Sequence, residues 1–130
     1  MIVAFDVGLK RIGVATSPNG KFALPSEPIL RKNRNQAARE ASEFLRQNNA
    51  EILVVGLPKG GSSEEEMERR IKHFISLVEF NGEICYQDES ISSFEAMDLA
   101  QKSTKKGGVN AKFDSIAAMI ILERFLAKNS

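Results

Sequence analysis

One cysteine, one histidine and one tyrosine are all that this 130-residue chain holds of those types, and tryptophan is missing altogether. A lone Cys85 can close no internal disulfide and has no second thiolate for a structural zinc site, so neither staple is available. No apolar run approaches the roughly 20 residues that a membrane helix needs. The opening Met1-Ile2-Val3-Ala4-Phe5-Asp6 lacks the basic region and small-residue cleavage site of a signal peptide, which points to the cytoplasm and away from a membrane. A net charge of one sign is also missing. The formal +1 is a cancellation of blocks: residues 1–60 carry 9 basic and 5 acidic side chains, residues 61–100 carry 3 and 10, and residues 101–130 carry 6 and 2. Whether the positive blocks share a surface depends on the fold. With 42% hydrophobic and 27% charged residues, the chain has the content of one ordered domain spanning 1–130.

Residues 1–7 and 11–17 are short β-prone runs separated by Gly8-Leu9-Lys10, and after the Pro18-Asn19-Gly20 turn residues 21–31 read as a third extended segment. Pro25 and Pro28 confine that segment to an irregular or edge strand, so the first third predicts an antiparallel three-strand meander. Ala37, Ala41, Phe44 and Leu45 repeat at helical spacing between Asn33 and Asn48. Ile52-Leu53-Val54-Val55 is a continuous β-branched run of the kind that is covered on both faces. Ser62-Ser63-Glu64-Glu65-Glu66 offers two overlapping capping boxes for a helix running to about Phe80. A strand over 83–87, a helix over 94–103 and a last helix over 111–128 complete the order β-β-β-α-β-α-β-α-α. That order predicts an α/β fold with a mixed five-stranded sheet, in which parallel strands follow the meander and helices cover both faces. A doubly wound dinucleotide fold is excluded, because it would open β-α-β with a G-x-G-x-x-G turn.

The chain has only four aspartates, Asp6, Asp88, Asp98 and Asp114, against thirteen glutamates. Asp6 ends an apolar strand, Asp88-Glu89 ends another, and Asp114 lies in the first turn of an apolar helix. Each acid alone has a plain structural reading: a partner for Lys10 or Arg11, a solvated turn residue, a first-turn acid favoured by the helix dipole. Together, converging carboxylates without His or Cys are hard oxygen ligands suited to Mg²⁺ or Mn²⁺, and a pair of such ions about 4 Å apart can drive in-line phosphodiester hydrolysis.

Asp6-Val7-Gly8-Leu9-Lys10-Arg11-Ile12-Gly13-Val14-Ala15, Val55-Gly56-Leu57-Pro58, Asp88-Glu89 with Glu95-Ala96, and Lys112-x-Asp114-x-x-Ala117-Ala118 resemble, in order and across nearly the whole chain, the YqgF/RuvX family. The resemblance implies a ribonuclease-H-like fold and a Holliday junction resolvase-like nuclease associated with trimming the 5′ end of pre-16S rRNA. It implies that Asp6, Glu89 and Asp114 are the catalytic, metal-binding carboxylates, with Asp88 a neighbour outside the core set. One departure is Ser90, which stands where the family usually has an arginine after Asp-Glu; Arg11 or Lys112 would have to take over its role.

Lys105, Lys106 and Lys112 flank Gly107-Gly108, and Lys10, Arg11 and Lys59 lie in other loops; these six are the expected phosphate-binding cations. Gly56-x-x-x-x-Gly61-Ser62 misses the P-loop lysine, and an actin-like phosphate loop would need a second domain. His73 reads as a surface residue and Cys85 as a small buried hydrophobe. The leading expectation is a metal-dependent nuclease acting on structured RNA, with precursor 16S rRNA as its substrate, as a monomer or homodimer. Its rivals are a DNA endonuclease for branched junctions, which needs two sites for symmetric cleavage, and a catalytically weak nucleic-acid-binding ribosome-assembly factor.

Overall fold

The alternation at the amino terminus sets the architecture. In the computed structural model, which describes residues 1–58, 63–88 and 110–128 (without the side chains of 110–114), Val3, Phe5 and Val7 of β1 (Ile2–Val7) join one buried cluster, and Ala4 joins another on the opposite face. β1 pairs antiparallel with β2 (Arg11–Ser17), and β2 pairs antiparallel with β3 (Leu24–Leu30). β4 (Ile52–Leu57) runs parallel to β1, and β5 (Glu83–Asp88) runs parallel to β4. The strand order β3-β2-β1-β4-β5 therefore has β1 at its centre. The meander, the mixed five-stranded sheet and the edge position of the proline-bearing strand are as expected. The third strand is shorter than the segment 21–31, and its register shifts between Ile12 and Val14, opposite Pro28.

The first face is covered by two helices, α1 (Arg34–Gln47) and α2 (Glu64–Ser76). Ala37, Ala41 and Leu45 of α1 and Ile71, Phe74 and Ile75 of α2 pack on Val3, Phe5, Leu53 and Val55. A reciprocal cap starts α1: the Asn33 side chain accepts from the Gln36 N–H at 2.7 Å, and Gln36 Oε1 accepts from the Asn33 N–H at 3.3 Å. Asn49, at φ 51°, turns the chain in the left-handed region just past the α1 end. Two expectations for α2 fail, and the cap offered by Ser62 lies outside the described residues. Ser63 makes no side-chain cap bond, and the helix stops at Ser76 rather than near Phe80. Val78 and Phe80 still pack against the core, from backbone that is no longer helical, so the apolar spacing outlasts the helix.

The second face is covered by α3 (Asn110–Lys128). Its Ala118, Ile121 and Leu122 pack on Ala4, Ala15, Ala23 and Val54, where the three alanines admit a close approach. The helix crosses from β2, where Ser115 Oγ accepts the Val14 N–H at 3.1 Å, to β5, where Arg124 Nη1 reaches the Asp88 carbonyl at 3.5 Å. Among the described residues no helix is long and apolar enough to cross a membrane. The expected helix over 94–103 lies outside the described residues.

Candidate active site

Asp6 follows Ala4 by two residues on the central strand, so the pleat puts its half-buried side chain on the α3 face, at the carboxyl end of β1. Its partner across β2 is Gly13, and on the β4 side Gly56 stands one residue beyond the Phe5–Val55 pair. Both lateral neighbours of the acid thus lack a side chain, which leaves its flanks open. Glycine within a strand is a sequence signal for such close access, one that a reading centred on acids passes over.

The turn after Asp6 is built to one shape. Gly8 N–H donates to the Arg11 carbonyl at 2.9 Å, and a Cβ at Gly8 would lie 2.7 Å from that same oxygen, so only glycine fits. Arg31, just past β3, clamps the turn twice: its backbone N–H donates to the Lys10 carbonyl at 2.8 Å and its Nη1 to the Gly8 carbonyl at 2.6 Å. The guanidinium also lies over the Phe74 ring, 4.9 Å from its centre. Burial, and then the charge of Arg34, hold the Arg31 guanidinium below its usual pKa. Sequence reasoning missed Arg31, because it ends an unremarkable edge segment and acquires its contacts only in the folded chain.

Asp114 is a position in α3, immediately before the buried Ser115 whose hydroxyl takes the Val14 N–H. Val14 pairs with Phe5, the residue before Asp6, and the Asp114 position precedes Ala118 by four residues and Ile121 by seven. Asp88 is exposed at the end of β5 and level with Leu57, which belongs to the α1/α2 cluster. It therefore lies on the opposite face from Asp6. Glu89, Lys59, Lys105 and Lys106 lie outside the described residues, as do the side chains of Lys112 and Asp114. Lys10 and Arg11 are exposed at the turn. Among the described residues no three His, Cys, Asp or Glu side chains form a group able to hold a metal.

Two side readings change. His73 is exposed as expected but borders a cavity of about 540 Å³ between the β1–β2 turn, α1 and α2. Cys85 is half-exposed on an edge strand rather than buried, its thiol donating to Glu83 Oε2 at 3.3 Å.

A mixed sheet with an antiparallel meander leading into parallel strands, covered by helices on both faces and bearing an acid on its central strand, defines a ribonuclease-H-like protein. The RuvX Holliday junction resolvase family matches residues 1–128, and the chain belongs to that family. A relative from Sulfurovum sp. (strain NBC37-1) is 57% identical over 128 residues, covering 97% of this chain and 98% of its own. One from Campylobacter jejuni subsp. jejuni serotype O:6 is 53% identical over 125 residues, covering 96% and 97%. Both carry the name "Putative pre-16S rRNA nuclease". Among solved structures, T. thermophilus RuvC in complex with a Holliday junction substrate superimposes with a TM-score of 0.63 at 14% identity, covering 99% of this chain and 96% of that one. The fowlpox virus Holliday junction resolvase gives 0.53 at 16% identity, covering 98% of each. At these identities the likeness is one of fold.

Proposed function

We propose that this chain is a divalent-metal-dependent nuclease that hydrolyses phosphodiester bonds in structured RNA, processing the 5′ end of pre-16S rRNA in the cytoplasm as one domain over 1–130. Membership of the RuvX family and the names of relatives at 57% and 53% identity support this reading. The observation that carries it is the setting of Asp6: an acid at the end of the central strand, with glycine on each neighbouring strand, on the face crossed by the helix that bears position 114. In this reading Asp6, Glu89 and Asp114 hold one or two Mg²⁺ or Mn²⁺ ions. Their all-oxygen donor set, without His or Cys, fits a hard cation. The chemistry that such ions supply when bound is activation of water and stabilisation of the leaving oxygen.

The chain's own residues prepare that site. Arg31 and Gly8 hold the backbone that follows Asp6, which limits the freedom of the acid before substrate arrives. Ser115 ties α3 to β2 beside position 114. Lys10 and Arg11 at the turn, with Lys59, Lys105, Lys106 and Lys112, provide cations for the substrate phosphates.

Asp6→Asn should abolish Mn²⁺-stimulated cleavage of a 5′-extended 16S precursor transcript and leave the circular dichroism spectrum unchanged. Wild-type cleavage rates in that variant would refute the site assignment. A second reading, cleavage of branched DNA, is favoured by the family's description and by the fold likeness to the junction-bound RuvC. Cutting of a four-way DNA junction by a dimer in light scattering, with the RNA transcript left intact, would select it.

A further inference from the structure

The cavity beside the β1–β2 turn has a composition that the carboxylate site does not explain. Val7, Gly8 and Leu9 form one wall, and Arg31, Arg34, Arg69 and Arg70 project their charge around it. Among the described residues Glu66 is the one carboxylate in the lining, and it is already engaged by Arg70 at 2.7 Å. Among the described residues Arg34 and Arg69 form no ion pair, and both are exposed. Arg31 is partly desolvated and feels the charge of Arg34. Like charges gathered around a concave surface raise the local potential, and a bound anion relieves it. Guanidinium forks also match phosphate oxygens bidentately, which lysines do not.

The location narrows the anion to a class. Gly8 lines the cavity and is two residues after Asp6, about 7 Å of extended chain. Asp6 lies on the α3 face and the cavity on the α1/α2 face, so the two meet only at the rim of the sheet. A strand that passes over this rim has one phosphate at the acid and another at the arginines. We propose that the Arg31–Arg34–Arg69–Arg70 cavity is a second phosphodiester-binding site, which grips the backbone of the substrate strand at a phosphate other than the one cleaved. This rests on the nuclease reading for its substrate, but it depends on none of the metal-binding carboxylates.

The test measures binding without cleavage. Fluorescence anisotropy in EDTA, across a salt series, would compare wild type, Asp6→Asn, Arg34→Ala/Arg69→Ala, Arg34→Lys/Arg69→Lys, and Arg39→Ala/Arg46→Ala, with a labelled RNA hairpin and a labelled four-way DNA junction as probes. The last variant removes two exposed α1 arginines that do not line the cavity. The cavity double alanine should bind at least tenfold more weakly, and its slope of log affinity against log salt should be shallower by about 0.7–0.9, the share of the one phosphate that is no longer neutralised. The lysine pair should recover the slope but not the full affinity. Asp6→Asn, which removes a negative charge, should bind no more weakly than wild type, and the α1 control should stay within twofold of it. Wild-type affinity and slope in the cavity double alanine, or an equal loss in the α1 control, would overturn the inference and leave the nuclease reading standing. If wild type binds neither probe, both fall. Calorimetry with inorganic phosphate separates a free anion from a strand: phosphate binding that the double alanine abolishes, with probe affinity unchanged, would also overturn the proposal.

Discussion

Two buried serines, Ser17 on β2 and Ser115 on α3, should answer the same substitution in opposite ways. Ser115 and Ser17 are both fully buried, but Ser115 Oγ accepts the Val14 N–H at 3.1 Å, whereas Ser17 Oγ has no hydrogen-bond partner among the described residues. In Ser115→Ala the equally buried Val14 N–H loses its acceptor, at the point where the β2–β3 register shifts. An orphaned buried donor costs about 1–3 kcal/mol. Replacing serine by alanine within α3 returns about 0.5 kcal/mol of helix propensity. The net loss is then about 1–2 kcal/mol, or roughly 3–8 °C in Tm for a domain of this size. Ser17→Ala removes a polar atom that is desolvated without compensation, so it should be neutral or stabilise by up to about 1 kcal/mol. Urea unfolding of the two variants, at unchanged m-value, reads both numbers. A Ser115→Ala stability within about 0.3 kcal/mol of wild type, or a Ser17→Ala loss as large as that of Ser115→Ala, would refute the claim that this hydroxyl fastens α3 to the sheet.

Three further outcomes follow from local geometry. Gly8→Ala drives a methyl to 2.7 Å from the Arg11 carbonyl, so the turn must shift at a cost of about 1–3 kcal/mol; cleavage should fall more than stability, because the same turn follows Asp6. Asn33→Ala breaks the reciprocal cap of α1 and should cost about 1 kcal/mol in chemical denaturation, with Asn33→Ser close to wild type. Cys85 is pushed above the usual thiol range by burial, then by its hydrogen bond to Glu83 and by that carboxylate's charge. Its thiolate should form only as pH rises beyond the ordinary thiol pKa. Alkylation by iodoacetamide at mildly alkaline pH should therefore be slower than for a free cysteine peptide and faster in Glu83→Gln; an unchanged rate in that variant would remove Glu83 as a cause.

The β-meander was legible because Gly8-Leu9-Lys10 separates two runs whose apolar residues mark strand and turn locally. The interior position of β4 was legible because Ile52-Leu53-Val54-Val55 has no polar face to expose. The end of α2 was not, since Val78 and Phe80 keep the apolar rhythm while packing from outside the helix, and burial alone does not report backbone conformation. Cys85 was misread because its apolar neighbours Ile84 and Tyr86 belong to an edge strand with exposed side chains.

The order of the described elements, the sheet class, the acid at the end of β1 and membership of the family follow from the linear sequence, because each rests on short-range pattern or on motifs in fixed order. Tertiary structure alone decided the face on which Asp6 lies, the two glycines beside it, the serine that fastens α3, and the gathering of Arg31, Arg34, Arg69 and Arg70 around one cavity. Those arginines are scattered over two separate stretches of the chain, and no periodicity links them. They meet because α1 and α2 bury their apolar stripes on the same sheet face, and that packing brings Arg34 at the start of α1 and Arg69 and Arg70 in the middle of α2 to a shared rim beside Arg31.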